Sequence, residues 1–156
     1  MTFLKKVEVR CYRGRGTGSG FIKWFTFALS GITHVSLVFY FSDGSVIEIE
    51  ALQWNGVIEH DPNSPEENDF ITLVAPLTEQ QAWEAYEIAH SLVGAKYDWM
   101  GIWGFLRRKK RHSADKWFCS ELVAYVLFKA GCALSRRQPF QETPAMVRDT
   151  MVLKAP

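Results

Sequence analysis

The sequence predicts an α+β fold in which a small antiparallel β-sheet packs against helices. Two observations carry that expectation. Apolar alternation with period two runs through residues 34–52 and is split by Ser42-Asp43-Gly44, a hairpin signal. Apolar residues then recur at helical spacing over 82–93 and again over 119–130. At 156 residues the chain suits a single domain over 1–156, and a hydrophobic content of 47% is enough for a core.

Residues 7–12 alternate weakly and form the first predicted strand. Gly14-Arg15-Gly16-Thr17-Gly18-Ser19-Gly20 follows as a loop. It lacks the Gly-Lys-Ser/Thr ending that cradles a phosphate, so nucleotide binding is not expected. Residues 21–30 suit a short helix with aromatics on several faces, ended by Gly31. Strands are predicted over 34–41, 46–52, 56–60 and 69–75, with Pro62 and Pro65 marking 61–68 as a surface loop. The sheet thus has four or five strands. Thr78-Glu79-Gln80-Gln81 reads as a capping box opening a helix that Gly94 stops. Residues 96–106 are rich in aromatics and have room for a short helix. A second helix starts at Cys119 and ends at Gly131, and the tail from Pro139 reads as mostly irregular.

Composition excludes several functions. A net charge of +1 with no basic face argues against nucleic-acid binding. Positive charge gathers only in Arg107-Arg108-Lys109-Lys110-Arg111, which reads first as a solvated loop, then as a contact for an acidic surface, then as a targeting signal. No stretch approaches the roughly 20 apolar residues a membrane span requires. The start lacks the apolar region of a secretory signal, which predicts a protein that is cytoplasmic or released without a signal peptide, as a phage-derived one would be. Cys11, Cys119 and Cys132 are an odd number at no metal-ligand spacing, which points to reduced thiols and away from a structural zinc site.

Candidate chemistry centres on Cys119 and His34. Cys119 opens a helix whose apolar stripe comprises Cys119, Leu122, Val123, Val126, Leu127 and Ala130, so the thiol faces the sheet that the helix packs on. The positive end of a helix macrodipole favours a thiolate there. A buried structural cysteine is the competing reading, and the commoner fate of the residue type. On the predicted strand, His34, Ser36, Val38 and Tyr40 share one face, opposite Val35, Leu37, Phe39 and Phe41. A three-residue turn at 42–44 aligns this face with Glu48 and Glu50, whereas a two-residue turn inverts the register. Glu50 would then lie opposite Ser36 and diagonal to His34, able to orient the imidazole. Gln53 is the alternative if the register slips. Both carboxylates can also be solvated groups on an exposed face, and Glu48 is read so.

Five segments together resemble a known family: Phe21-Ile22-Lys23-Trp24-Phe25-Thr26, Thr33-His34-Val35-Ser36-Leu37-Val38, Ile47-Glu48-Ile49-Glu50-Ala51, Tyr97-Asp98-x-x-Gly101 and Phe118-Cys119-Ser120-Glu121-Leu122-Val123. Spanning roughly residues 20–130, they resemble the circularly permuted, YiiX/YaeF-like branch of the NlpC cell-wall peptidase superfamily. The resemblance implies a permuted papain-like fold, with a histidine and an acid on barrel strands preceding the nucleophile. It implies Cys119 as nucleophile, His34 as base, Glu50 as the third member and Tyr97 near the oxyanion. The implied activity is a cysteine peptidase or amidase working through an acyl-enzyme on a peptide or amide substrate such as murein peptide, with no metal or organic cofactor. The basic insertion before Cys119 departs from the family pattern. Two other classes stay open. One is lipid acyl transfer or phospholipid hydrolysis of the lecithin retinol acyltransferase type, although those relatives carry different residues on both sides of the cysteine. The other is a non-catalytic binding module on the same fold.

Overall fold

The computed structural model describes residues 2–13, 31–62, 69–97 and 116–156. The expectations for 14–20, 21–30, most of the 61–68 loop, the aromatic stretch after Tyr97 and the basic run 107–111 lie outside the described residues. Within them the architecture is α+β. Strands β1 (Leu4–Arg13), β2 (Ile32–Phe41), β3 (Val46–Leu52), β4 (Gly56–His60) and β5 (Phe70–Val74) form an antiparallel sheet in the order β4-β3-β2-β1-β5. Helix α1 (Glu79–Ser91) follows, then a two-residue strand β6 (Lys96–Tyr97) paired in parallel with β7 (Lys116–Trp117). Helix α2 (Cys119–Lys129), a 3-10 turn (Pro139–Gln141) and a short helix α3 (Pro144–Asp149) complete the described chain.

The β2–β3 turn sets the register. Phe41 N–H donates to Ser45 O at 2.9 Å and Gly44 N–H to Phe41 O at 3.2 Å, with Gly44 at φ +91°. Only glycine enters that region without a steric cost. Ser42, Asp43 and Gly44 are therefore the loop, and Leu37 pairs with Ile49 and Val38 with Glu48. Asp43 locks the turn by accepting from the Ser45 backbone N–H at 2.9 Å and from its hydroxyl at 2.6 Å.

One sheet face is the core floor: Val7, Val9, Cys11, Val35, Leu37, Phe39, Ile49 and Ala51 are all buried there. Helices α1, α2 and α3 pack on it. Helix α1 has the capping box read from Thr78 and Gln81, and lays Ala82, Ala85 and Ala89 on the sheet. Leu122, Val123, Val126 and Leu127 of α2 are fully buried, each contributing about 1.5–3 kcal/mol relative to exposure. Burial in α2 does not stop at the apolar stripe, because Ser120, Glu121 and Ala124 are covered as well.

Two expectations are corrected. The tail is not irregular: Thr143 accepts from Met146 N–H at 3.2 Å as the N-cap of α3, and Pro144 fits its first turn, where the missing N–H costs nothing. And the polar sheet face is not solvated. Glu48 and Glu50 have no exposed surface, and Arg10, Ser36 and Glu8 are buried beside them. No helix among the described residues is long and apolar enough to cross a membrane.

Candidate functional site

The register dictates which polar side chains meet. Tyr12 pairs with His34 across β1–β2, and Glu48 with His60 across β3–β4. Continuing the β2–β3 ladder beyond Leu37–Ile49 sets Glu50 against Ser36. From there the carboxylate reaches back to His34, with Oε2 at 2.5 Å from His34 Nε2. Glu50, not Gln53 in the turn beyond β3, is therefore the group bonded to the imidazole.

His34 is 7% exposed. Nε2 is engaged by Glu50, and Cys119 is close enough to act on the proton affinity of the ring. Burial alone would lower the His34 pKa. The hydrogen bonds to Cys119 and Glu50, reinforced by their charges, outweigh burial and push it up to about 9. Tyr12 flanks the imidazole, ring centroids 5.6 Å apart.

Cys119 is the first residue of α2 and is buried. Its N-cap is Phe118, in extended conformation, whose side chain has nothing to offer the first-turn N–H groups. An apolar cap contributes no side-chain acceptor of its own at the helix start. The turn is tied down instead by Ser120, whose hydroxyl donates to Glu142 O at 2.6 Å. Glu142 is itself buried and accepts from Ser135. Tyr97 pairs with Trp117, two residues before Cys119, and packs partly buried against the core. The structure thus bonds His34 to Glu50, couples His34 electrostatically to Cys119, and brings the Tyr97 strand alongside the segment that enters α2.

Burial pushes the Cys11 pKa up to about 12 and raises that of Cys132, which leaves both as thiols at neutral pH.

Two groups escaped the sequence reading. His60 places Nε2 at 2.7 Å from Glu50 Oε1, so Glu50 bridges two imidazoles. Extending the alternation from Glu48 and Glu50 onto β4 would have put His60 on the same face. The second is a buried cluster on Glu48, which accepts from Tyr12 Oη at 2.5 Å and from Ser36 Oγ at 2.6 Å and faces Arg10 Nη1 at 3.6 Å. The sequence signal for it was Arg10 and Tyr12 alternating on β1 with Glu8.

No protein-family model matches the chain, and no curated protein matches it in sequence.

Proposed function

We propose that the protein is a cysteine-dependent hydrolase, a peptidase or amidase on a permuted papain-like fold, with Cys119 as nucleophile, His34 as general base and acid, and Glu50 as the group that orients and charges His34. The observation that carries this reading is the buried imidazole bound by a carboxylate, with a thiol at a helix start adding to its proton affinity. A raised histidine next to a thiol favours the thiolate–imidazolium pair, the reactive form of such sites.

The Cys119 proton passes to His34, and the sulfur attacks the carbonyl carbon of an amide. Negative charge forms on the carbonyl oxygen, where backbone N–H groups at the start of α2 stabilise it, with Tyr97 nearby. His34 returns the proton to the departing amine as the C–N bond breaks, leaving a thioester. Water then gives a proton to His34 and attacks the thioester carbon, and the thiol takes that proton back as the acid leaves. Glu50 holds the imidazole in place through both transfers.

Murein peptide is the substrate class the family resemblance suggests. Incubation with muropeptides and, separately, with phospholipid vesicles tests it against a Cys119→Ala control. Cys119-dependent amine release from muropeptides is the expected result. Cys119-dependent fatty-acid release from vesicles would move the protein to the lipid acyltransferase class. Turnover of neither would favour a binding module.

A further inference from the structure

We propose that His60 is a positioning residue of this site, keeping Glu50 ionised so that His34 is fixed in the tautomer that presents its free nitrogen to Cys119. The inference rests on the thiol-hydrolase reading and extends it by one residue.

Glu50 is fully buried, and each of its oxygens has an imidazole: Oε2 meets His34 Nε2 at 2.5 Å and Oε1 meets His60 Nε2 at 2.7 Å. The second nitrogen of His60 decides the protonation. His60 Nδ1 lies 2.5 Å from the carbonyl oxygen of Asp61, which can only accept, so Nδ1 carries a proton. With Nε2 also aimed at an oxygen, His60 is built to hold both protons and face Glu50 as a cation.

The surroundings agree. Glu48 lies opposite His60 in the β3–β4 register, fully buried, with Arg10 as its counter-ion. Glu59, the next residue along β4, turns away to His90 at 2.6 Å. Among the described residues, the anions facing His60 are thus Glu50 and Glu48. The hydrogen bond to Glu50 raises the His60 pKa, burial opposes it, and the Asp61 carbonyl and the charges of Glu50 and Glu48 add to the rise. The His60 side chain is 26% exposed, so solvent reaches it, whereas Glu50 is fully buried.

The consequence reaches the thiol. An ionised Glu50 accepts only, so His34 must donate from Nε2, and the lone pair of a neutral His34 falls on Nδ1, toward Cys119. A protonated Glu50 would donate to Nε2 and turn that lone pair away from the sulfur. A carboxylate this deeply buried favours protonation unless enough donors oppose it. His60 is one such donor.

The test is the rate of Cys119 alkylation by iodoacetamide against pH in the wild type, His34→Ala, His60→Ala and His60→Gln, with thermal unfolding of each as the folding control. His60→Ala is expected to move the acid limb to higher pH and slow labelling about tenfold near pH 6, well under the full worth of a general base. His60→Gln restores an N–H donor at the same reach and should recover most of that loss. A folded His60→Ala protein with an unmoved pH profile overturns the proposal. Imidazole 15N NMR puts the question to the unmodified chain: His60 protonated on both nitrogens near pH 6 supports it, and a neutral His60 there overturns it. If His34→Ala also leaves the profile unmoved, the thiol-hydrolase reading itself fails. If only His60→Ala does, this inference alone falls.

Discussion

His34 and Glu50 meet at 2.5 Å across neighbouring strands, both buried, one from the start of β2 and one near the end of β3. A contact that short at that depth couples the charge of the carboxylate directly to the basicity of the imidazole. Glu50→Gln keeps the shape and removes the charge. Its Cys119 alkylation rate near pH 6 should fall by roughly 10–100-fold, because the imidazolium loses its anion. A rate within about twofold of wild type would show that Glu50 does not tune His34.

The three cysteines should separate under alkylation. In folded protein near pH 6, iodoacetamide is expected to modify Cys119 and to leave Cys11 and Cys132 untouched, since burial holds both of the latter as thiols. After unfolding, all three should react alike. Peptide mass mapping reads the outcome, and equal labelling of the folded protein would contradict the assignment.

Glu48 carries a stability prediction. Its carboxylate takes Tyr12 and Ser36 hydroxyls and faces buried Arg10. Glu48→Ala leaves the guanidinium without its anion and two hydroxyls without an acceptor, at a cost of about 3–5 kcal/mol in urea unfolding. Tyr12→Phe removes a single donor and should cost about 1–2 kcal/mol. A Glu48→Ala protein within about 1 kcal/mol of wild type would mean that the cluster is not a stabilising one.

How much of this was legible follows from which rules are local. The turn at Ser42-Asp43-Gly44 is local chemistry, and it carried the register that sets Glu50 within reach of His34. The helix starts at Thr78 and Cys119 were local as well. Glu48 was misread because alternation reports two faces of a strand, not whether the second face is covered. Covering that face depends on contacts distant in sequence, and a carboxylate with Tyr12, Ser36 and Arg10 around it has the same one-dimensional pattern as a solvated one. His60 was missed for a related reason: its partner is a diagonal neighbour on the adjoining strand, visible only once β3 and β4 are aligned. Helix α3 has a local signal in Thr143-Pro144, a cap followed by a first-turn proline.

The His34 proton links stability to pH. The folded state binds it more tightly than the unfolded chain, whose value is near 6.5, and releases it at about 9. Protonation of His34 therefore stabilises the fold fully below about pH 6.5, and that contribution drains away as pH rises through about 9. Urea midpoints measured from pH 6 to pH 10 should fall across this window. In His34→Gln the decline should flatten, and a wild type whose midpoint rises over the same range would reverse the sign assigned to His34.

Gly56 should be the least replaceable turn glycine described. It sits at φ +74°, and a Cβ there would lie 2.1 Å from the carbonyl oxygen of Ala95. That oxygen accepts Val57 N–H at 2.8 Å, and Gly94 N–H returns a bond to Val57 O at 2.8 Å, clamping β4 to the segment that leads into β6. Strand β6 in turn holds Tyr97 against Trp117, just ahead of Cys119. Gly56→Ala combines backbone strain with a clash against fixed backbone, a loss of roughly 3–5 kcal/mol. Gly44→Ala, at φ +91° with open space around its Cβ, meets the strain alone and should lose about 1–2 kcal/mol. Equal losses in urea unfolding would show that the Ala95 clamp yields. A Gly56→Ala protein that still folds should also alkylate Cys119 more slowly, because the clamp that sets the entry to α2 has shifted.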